Sequence, residues 1–321
     1  MTHARTPPAR PSVPTPGLTH PALFYRDREE YLAGTIPFVV DGLAGGEPVA
    51  AVVPTENLAL LRAELGRQAD RITLIDMAEA GRNPGRIIPG VLHAFADAHP
   101  YHRVRIISEQ IWPGRSSREY PACVRHEALI NVAFAERRMT MLCPYDSANL
   151  EATALADASA THPVLIAAER RWPSQGYRPE QIIDTYNLPL PTPSADVFVA
   201  GVRDLSALRR FVTDRATRLG VSADRVADLV LVVSELATNS IEHGGGEATV
   251  TVFADGDQIG CQVYDTGRLT DQLAGLRPAT VRQSRGRGLL LVNELAELVR
   301  THASTNGTTV RTWLRRDPTV G

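Results

Sequence analysis

The stretch Ser222–Gly246, SADRVADLVLVVSELATNSIEHGGG, decides the fold of the C-terminal third of the chain. Its apolar residues recur at helical spacing, which predicts one long helix with a single buried face. Ser222 stands where an N-cap is expected, and the glycines after His243 allow the chain to leave the helix through left-handed backbone. The stretch therefore predicts a helix that begins after Ser222 and ends at the glycines.

A strip of polar residues interrupts the apolar pattern of this helix. Glu235, Asn239 and His243 follow one another at intervals of four residues, so they fall within about 80° around the helix axis. The carbonyl oxygen of Asn239 can bind a metal ion that bridges phosphates, and the carboxylate of Glu235 can act as a general base. The strip is a candidate nucleotide site, and the solvated edge of an ordinary amphipathic helix is the alternative.

The bulk composition restricts the class of protein. The chain has 321 residues, 43% of them hydrophobic and 22% charged, which is typical of a globular protein with two domains. A formal net charge of −2 gives no electrostatic reason to expect a nucleic-acid partner. The sequence has no apolar run that could cross a bilayer, no signal-peptide core and too few cysteines for a disulfide framework, so we expect a cytoplasmic protein without a membrane partner.

The basic residues are all arginine, and the sequence contains no lysine. A P-loop of the GxxxxGK[ST] type is therefore excluded, as are Schiff-base chemistry and a lysine nucleophile. If the chain binds ATP, then arginine, glycine backbone and a metal ion must hold the phosphates.

Short apolar strands alternate with helical segments between His20 and Trp172, which predicts a parallel α/β sheet. The predicted strands are Pro48–Val53, Ile72–Ile75, Val104–Ser108 and Met139–Cys143, and the predicted helices are Arg28–Leu43, Leu58–Leu65, Ile87–Ala98 and Glu119–Glu136. Ligands of such sheets lie beyond the carboxyl ends of the strands, which draws attention to Glu109 and Asp146.

Two sets of residues in this half suggest further chemistry. Cys123 and His126 lie three residues apart on a predicted helix and, with Cys143, are candidate metal ligands. Ordinary buried cysteines are the alternative, because no CxxC pair accompanies them. Glu109 and Glu127 are a candidate carboxylate pair, and helix-cap or surface positions are the alternative for them.

The N-terminal half resembles the methanogen/methylotroph sensory (MEDS) domain. The resemblance rests on His20 with Tyr25, the turn Gly42–Glu47, Glu109 and the stretch Arg125–Asn131, RHEALIN. It implies that this domain senses a small molecule, and we expect the ligand to control the C-terminal half.

The motifs after the long helix indicate an adenine-nucleotide site. Asp265 ends a predicted strand, where its carboxylate can accept a hydrogen bond from an adenine amino group, and Gly267 leaves room for the base. Arg268–Arg285 is polar and predicts a flexible segment over a site. Gly286 and Gly288 then open an apolar helix, whose first backbone amides can bind phosphate. A plain turn is the alternative for each glycine motif. The remaining predicted elements are a helix, Leu205–Leu219, and the strands Ala248–Ala254, Ile259–Tyr264, Val299–Ala303 and Thr308–Leu314.

The order of these motifs is similar to that of the Bergerat-type (GHKL) ATPase fold: ExxxN on a helix, DxG after a strand, a loop, and GxG at a helix start. Glu235–Ser240, ELATNS, with His243-Gly244 looks most like the anti-sigma-factor serine/threonine kinases. The resemblance implies an α/β sandwich that binds ATP and Mg²⁺. The roles that it implies are Glu235 as catalytic base, Asn239 on the metal ion, Asp265 on adenine, and His243, Gly267, Gly286 and Gly288 in the nucleotide site.

The same resemblance implies a function and its partners. It implies an anti-sigma regulatory factor that sequesters a sigma factor and phosphorylates a serine on an anti-anti-sigma antagonist protein, and it makes a homodimer plausible. Leu269 stands where the fuller DxGxG pattern has its second glycine, so the alternative is a non-catalytic anti-sigma binding module with nucleotide as a conformational ligand only. A sensor histidine kinase is disfavoured, because no histidine lies between Pro163 and Ser222.

The predicted division of the chain follows from these segments. Residues 1–19 are rich in proline and predict a disordered tail, 20–172 the MEDS-like sensory domain, and 197–321 the histidine-kinase-like ATPase domain. Residues 173–196 contain Pro189, Pro191 and Pro193 at alternate positions, which predicts an interdomain linker.

Overall fold

The structure is a computed structural model that describes residues 17–168, 170–278 and 286–316. Most of the predicted tail, residues 1–16, lies outside these ranges, as do residues 279–285 of the predicted flexible segment. Leu18 and Thr19, which we assigned to the tail, form a short strand beside Met139 and Thr140.

The N-terminal half is built on an eight-stranded sheet with the order β4-β3-β5-β6-β2-β7-β8, in which β1 also pairs with β6. Its strands are β1 (Leu18–Thr19), β2 (Pro21–Tyr25), β3 (Val49–Val53), β4 (Thr73–Asp76), β5 (Val104–Ser108), β6 (Met139–Asp146), β7 (Val164–Ala167) and β8 (Arg170–Pro173). In the described residues, the strand pairings of this sheet are parallel except that of β7 with β8. The predicted parallel α/β sheet is therefore confirmed, with one antiparallel strand at its edge.

Helices cover both faces of this sheet. They are α1 (Arg28–Ala44), α2 (Thr55–Leu65), α3 (Met77–Ala80), a π-helical segment (Ile87–His93) that continues into α4 (Ala94–Ala98), α5 (Tyr120–Ala133), α6 (Ala152–Thr161) and α7 (Pro179–Thr185). Strand β3 shows why both faces are apolar, because Ala51 packs in the cluster that contains Tyr31 of α1, whereas Ala50 and Val52 pack in the cluster that contains Leu129 of α5.

The sequence patterns did not predict strand β2, although it lies inside the sheet between β6 and β7. They also missed β7 and β9 (Val197–Ala200), which, like β2, have at most five residues. Length alone does not explain this, because the predicted strands β3, β4 and β5 are equally short; only their pairing partners define β2, β7 and β9 as strands.

The C-terminal half is a two-layer α/β sandwich, as predicted. Its antiparallel sheet has the order β12-β13-β11-β10-β9. The further elements are α8 (Leu205–Arg218), α9 (Ala223–His243), β10 (Ala248–Asp255), β11 (Gln258–Asp265), α10 (Gly288–Leu295), β12 (Leu298–Ser304) and β13 (Gly307–Arg315). Leu229 and Val233 of α9 pack against Val250 and Ile259 of the sheet in one buried core.

The long helix α9 has the predicted bounds, but its N-terminal capping differs from the prediction. Ser222 is the N-cap residue, but its side chain accepts no capping hydrogen bond. At the other end, Gly245 and Gly246 adopt φ angles of +110° and +93°, which glycine reaches without steric cost. Among the described helices none is long and apolar enough to span a bilayer.

The two halves of the chain touch directly. Asn83 Nδ2 donates to the carbonyl oxygen of Asn293 at 2.9 Å, and Arg118 Nη2 donates to Asp255 Oδ1 at 3.1 Å. Ala122 of α5 packs with Trp313 of β13. The N-terminal half therefore contacts the C-terminal half through side chains as well as through the connecting chain.

The segment predicted to be a linker has two parts. Ile182 and Ile183 of α7 are buried in the N-terminal core, so this first part belongs with the sensory half. Residues 187–196 form neither helix nor strand, and they connect the two halves. Proline at alternate positions explains why this second part stays extended.

Candidate nucleotide-binding site

A cavity of about 650 Å³ lies between α9, the end of β11 and the start of α10. Its volume is within the usual range of about 300–1,000 Å³ for small-molecule sites. The seven residues predicted from the sequence all line it: Glu235, Asn239, His243, Asp265, Gly267, Gly286 and Gly288. Tertiary folding thus gathers three separate motifs around one space.

The polar strip of α9 forms one wall of the cavity. Glu235 and Asn239 are half-buried, whereas the side chain of His243 is 73% exposed at the rim. A Cβ atom on Gly288 would lie 2.6 Å from Glu235 Oε2 and 3.3 Å from Asn239 Nδ2. Glycine is therefore what allows the start of α10 to approach both side chains.

Asp265 is held in place by two hydrogen bonds. Ser240 Oγ donates to its Oδ2 at 2.6 Å, and the Gly267 N–H donates to its Oδ1 at 2.9 Å. Burial raises the pKa of the Asp265 carboxyl, and these two hydrogen bonds oppose that shift. A carboxylate has about four acceptor positions, so roughly half of them remain for a ligand donor.

Beside Asp265, the backbone at the end of α9 lies in close contact with the turn after β11. A Cβ atom on Gly244 would lie 2.3 Å from Asp265 Cγ, and one on Gly267 would lie 2.4 Å from Gly244 Cα. The end of α9 and the turn after β11 therefore touch through their glycines. A larger residue at Gly244 would displace the carboxylate, and one at Gly267 would push the backbone of Gly244 away.

Thr308 is a residue of the site that the sequence did not reveal. It lies opposite Asp265 in the register of β11 and β13. Its Oγ1 donates to the Gly267 carbonyl at 2.8 Å and accepts from the Leu269 N–H at 3.0 Å. The backbone at Leu269 is thus fixed by a side chain of the neighbouring strand, and only the strand register brings the two together.

The segment after Leu269 is packed rather than free where it is described. Leu273 and Leu276 are each 6% exposed and belong to the buried core of the N-terminal half. Asn293 Nδ2 donates to the Gly275 carbonyl at 3.1 Å. The described part of the predicted flexible segment is therefore fixed at the interface between the two halves.

The chemistry of the cavity fits a nucleotide. Arg268, Arg277 and Arg287 line it together with the first turn of α10, so positive charge and backbone amides are available where lysine is absent. Asp265 offers acceptor positions at the end of β11, and Asn239 of α9 adds an amide to the lining. The donors and acceptors therefore suit an adenine base with a phosphate chain.

A second cluster of polar side chains lies at the carboxyl ends of the strands in the N-terminal half. Tyr25 Oη donates to Glu109 Oε1 at 2.8 Å, and Asn57 Nδ2 donates to Glu109 Oε2 at 2.7 Å. Burial raises the pKa of Glu109 to about 7. The Ser108 hydroxyl and both polar atoms of the Gln110 amide are buried without a hydrogen-bond partner in the described part of the chain. This end of the sheet is a candidate ligand site.

The expectation that Glu109 and Glu127 occupy cap or surface positions is wrong. Each is 1% exposed. Strand β5 carries Glu109 into the interior, and α5 packs its Glu127 face against the sheet, which the spacing of charged residues did not reveal.

Comparison with known proteins finds a family match for each half of the chain. Residues 19–163 match the family described as MEDS, "MEthanogen/methylotroph, DcmR Sensory domain", and residues 198–313 match the histidine kinase-like ATPase domain. No curated protein matches the chain.

Among the solved structures, 27 chains match, and one contains the RsbU and RsbW domains of Rv1364c from Mycobacterium tuberculosis. That match has 20% sequence identity and a TM-score of 0.29, and it covers 50% of this chain and 45% of the other. The chain thus spans less than half the length of that protein. The family matches assign the two halves: the chain joins an N-terminal MEDS sensory domain to a C-terminal histidine kinase-like ATPase domain.

Proposed function

We propose that the protein is an anti-sigma regulatory factor controlled by its sensory domain. It binds ATP with Mg²⁺, sequesters a sigma factor and phosphorylates a serine on an anti-anti-sigma antagonist. The observation that carries the proposal is that Glu235, Asn239, Asp265 and the predicted glycines line one cavity in a domain of the histidine kinase-like ATPase family.

The proposed binding roles follow from the contacts in the cavity. Asp265, held by Ser240 and Gly267, accepts a hydrogen bond from the adenine amino group. Asn239 contributes its carbonyl oxygen to Mg²⁺, and the arginines and first amides of α10 contact the phosphates. Bound ATP supplies the phosphoryl group for transfer.

Glu235 is the proposed general base. Its carboxylate accepts the proton of the acceptor serine hydroxyl, which makes that oxygen a better nucleophile. Gly288 keeps the start of α10 within contact of the Glu235 carboxylate, so the base and the phosphate-binding amides lie side by side.

A non-catalytic role is the second candidate, and Leu269 is the observation in its favour. In this alternative the nucleotide acts only as a conformational ligand, and the anti-sigma module binds its partner without phosphoryl transfer. The packing of Leu273 and Leu276 into the sensory core supports it, because this contact restrains the segment that borders the cavity.

The sensory domain has a direct route to the nucleotide site in this proposal. A small molecule bound near Glu109 changes the packing of the N-terminal core, and Leu273 and Leu276 transmit the change to the cavity wall. The hydrogen bond between Asn83 and Asn293 connects the same core to α10. The control of the ATPase domain then depends on these contacts as well as on the linker.

Binding of ATP·Mg²⁺ to the purified chain, measured by calorimetry, tests the first step. We expect Asn239→Ala to abolish binding and Asn306→Ala, an exposed turn residue of the same amide type, to leave it unchanged. Equal binding by both variants would remove Asn239 from the site, and no binding by the wild type would overturn the proposal.

Transfer of labelled phosphate from ATP to a candidate antagonist tests the second step. Glu235→Gln should abolish transfer while ATP still binds, and Glu247→Gln, at an exposed glutamate that does not line the cavity, should transfer normally. Transfer that survives in Glu235→Gln would contradict the base role. ATP binding without transfer to any antagonist would favour the non-catalytic alternative.

A further inference from the structure

The N-terminal domain contains a second cluster of polar side chains that neither proposed site uses. His20 lies between β1 and β2, Glu127 on α5, Cys143 on β6, and His162 at the end of α6. Each of these residues is at most 1% exposed. One ligand atom from each lies within 4.8 Å of the others. Four distant segments of the chain thus converge on one buried point.

The distances within the cluster match the edges of a tetrahedral metal site. His20 Nε2 lies 3.3 Å from Cys143 Sγ and 3.6 Å from Glu127 Oε2, and His162 Nε2 also lies 3.6 Å from that oxygen. Zinc bonds of about 2.0–2.1 Å to nitrogen or oxygen and about 2.3 Å to sulfur give tetrahedral edges of roughly 3.3–3.6 Å. These three separations agree with the edges to within a few tenths of an ångström; Cys143 Sγ lies 3.8 Å from Glu127 Oε2, and all four ligand atoms lie within 4.8 Å of one another.

The hydrogen bonds outside the cluster fix how both imidazoles face it. Asn131 Nδ2 donates to the Thr161 carbonyl at 2.9 Å, so its Oδ1 faces His20 Nδ1 at 3.1 Å and accepts a proton from it. His162 Nδ1 donates to the Ala158 carbonyl at 2.8 Å. Each ring therefore carries its proton on Nδ1 and points the Nε2 lone pair into the cluster. Metal-binding histidines show this outer arrangement almost always.

Hydrogen bonds within the cluster do not satisfy all of its buried polar atoms. Glu127 Oε1 and His162 Nε2 are buried without a hydrogen-bond partner in the described part of the chain. The separation of 3.6 Å between His162 Nε2 and Glu127 Oε2 is too long for a hydrogen bond. The Cys143 thiol can donate to Glu127 Oε2 only over 3.8 Å, and a buried carboxylate with so weak a donor is costly unless a cation accompanies it.

We propose that His20, Glu127, Cys143 and His162 bind a divalent, tetrahedral metal ion, for which Zn²⁺ is the best match. With the cysteine as thiolate, Glu127 as carboxylate and both histidines neutral, the charges of the ligands cancel those of a dication. Four protein ligands leave no open position, which is the pattern of a structural site rather than a catalytic one. The ion ties α5 to β6, α6 and the start of β2.

This set of ligands differs from the one suggested by the sequence. Cys123 and His126 are not part of the converging group, and His126 Nδ1 bonds to the Ala122 carbonyl at 2.7 Å. Of the three residues that the spacing indicated, only Cys143 belongs to the cluster. Cys123 is thus a matched control, because it is a buried cysteine in the same core.

The test is the metal content and the cobalt spectrum of the full-length chain. Elemental analysis after incubation with Zn²⁺ and gel filtration should give one metal ion per chain. Replacement by Co²⁺ should produce the intense d–d bands of a tetrahedral site and a thiolate-to-cobalt charge-transfer band. Cys143→Ser should lose that charge-transfer band, and Cys123→Ser should keep it.

Two further variants keep the test decisive if Cys143→Ser does not fold. His20→Cys retains four ligands and should increase the thiolate-to-cobalt absorption. Asn131→Ala leaves the four ligands in place, removes the hydrogen bonds to His20 and to the Thr161 carbonyl, and should weaken Zn²⁺ binding about 10- to 100-fold. The proposal is overturned if the wild type takes up no metal, or if Cys143→Ser keeps the thiolate band. Because these readouts require no nucleotide, their failure is distinct from failure of the proposed ATPase function.

Discussion

Replacing Asp265 with asparagine tests the adenine site most directly, because the change keeps the side-chain shape and removes its charge. Ser240 and Gly267 donate to the two carboxylate oxygens at 2.6 Å and 2.9 Å. In Asp265→Asn one of these oxygens becomes an NH₂ group, which is a donor. The variant therefore has too few acceptor positions to keep both internal hydrogen bonds and accept an adenine amino group as well.

The expected loss of ATP affinity can be estimated from the free energy of one hydrogen bond to a charged acceptor. A hydrogen bond to a charged group contributes about 1.5–3 kcal/mol, so the affinity for ATP should fall roughly 10- to 150-fold. Preference for ATP over GTP should fall too, because guanine carries a carbonyl oxygen where adenine carries its amino group. Ser240→Ala keeps the carboxylate and should weaken ATP binding by a few-fold only.

Calorimetric titration with ATP·Mg²⁺ and GTP·Mg²⁺ measures both effects, and thermal unfolding checks that the variants are folded. The reasoning is refuted if Asp265→Asn binds ATP as tightly as the wild type and keeps the same preference over GTP. If Asn239→Ala still abolishes binding in that case, the nucleotide occupies the cavity without Asp265.

Three further predictions concern pH, the base and the domain interface. Burial raises the pKa of Glu109 from 4.5 to about 7, so between these pH values the folded state holds a proton on this carboxyl that the unfolded state has lost. The free energy of unfolding should therefore fall by about 3 kcal/mol as the pH rises from 4.5 to about 7. Denaturant titrations of Glu109→Gln should not show this fall. Gly288→Ala places a Cβ atom 2.6 Å from Glu235 Oε2, so phosphoryl transfer should fall more than ATP binding does. Equal losses of transfer and of ATP binding would contradict a specific effect on the proposed base. Asn83→Ala removes a buried hydrogen bond to the backbone carbonyl of Asn293, so the free energy of unfolding should fall by about 1–3 kcal/mol in denaturant titrations; an unchanged free energy of unfolding would show that this contact does not stabilise the interface between the domains.

The nucleotide cavity could be predicted from the sequence to a large extent because its motifs are local. Glu235 and Asn239 share a helix face through their spacing, and Gly288 marks a helix start through its position. Thr308 could not be found in this way. Its contacts with Gly267 and Leu269 depend on the register between β11 and β13, which pairs residues about forty positions apart.

The packing of Leu273 and Leu276 could not be predicted from the sequence either. Their segment is polar and contains glycine and proline, which predicts a mobile loop over the site. Its few apolar side chains are nevertheless buried in the core of the other domain. A composition averaged over a segment cannot show that two of its residues have a partner surface elsewhere in the chain.

The sequence by itself determined the class of both domains, the bounds of α9 and the candidate nucleotide residues, because helix periodicity, turn glycines and strand ends depend on residues close together in the chain. Only the tertiary structure decided the central position of β2, the direct contact between the domains and the cluster of His20, Glu127, Cys143 and His162. These features bring together segments that lie far apart in the chain. They are fixed by the burial and register of the whole sheet, and no local pattern records them.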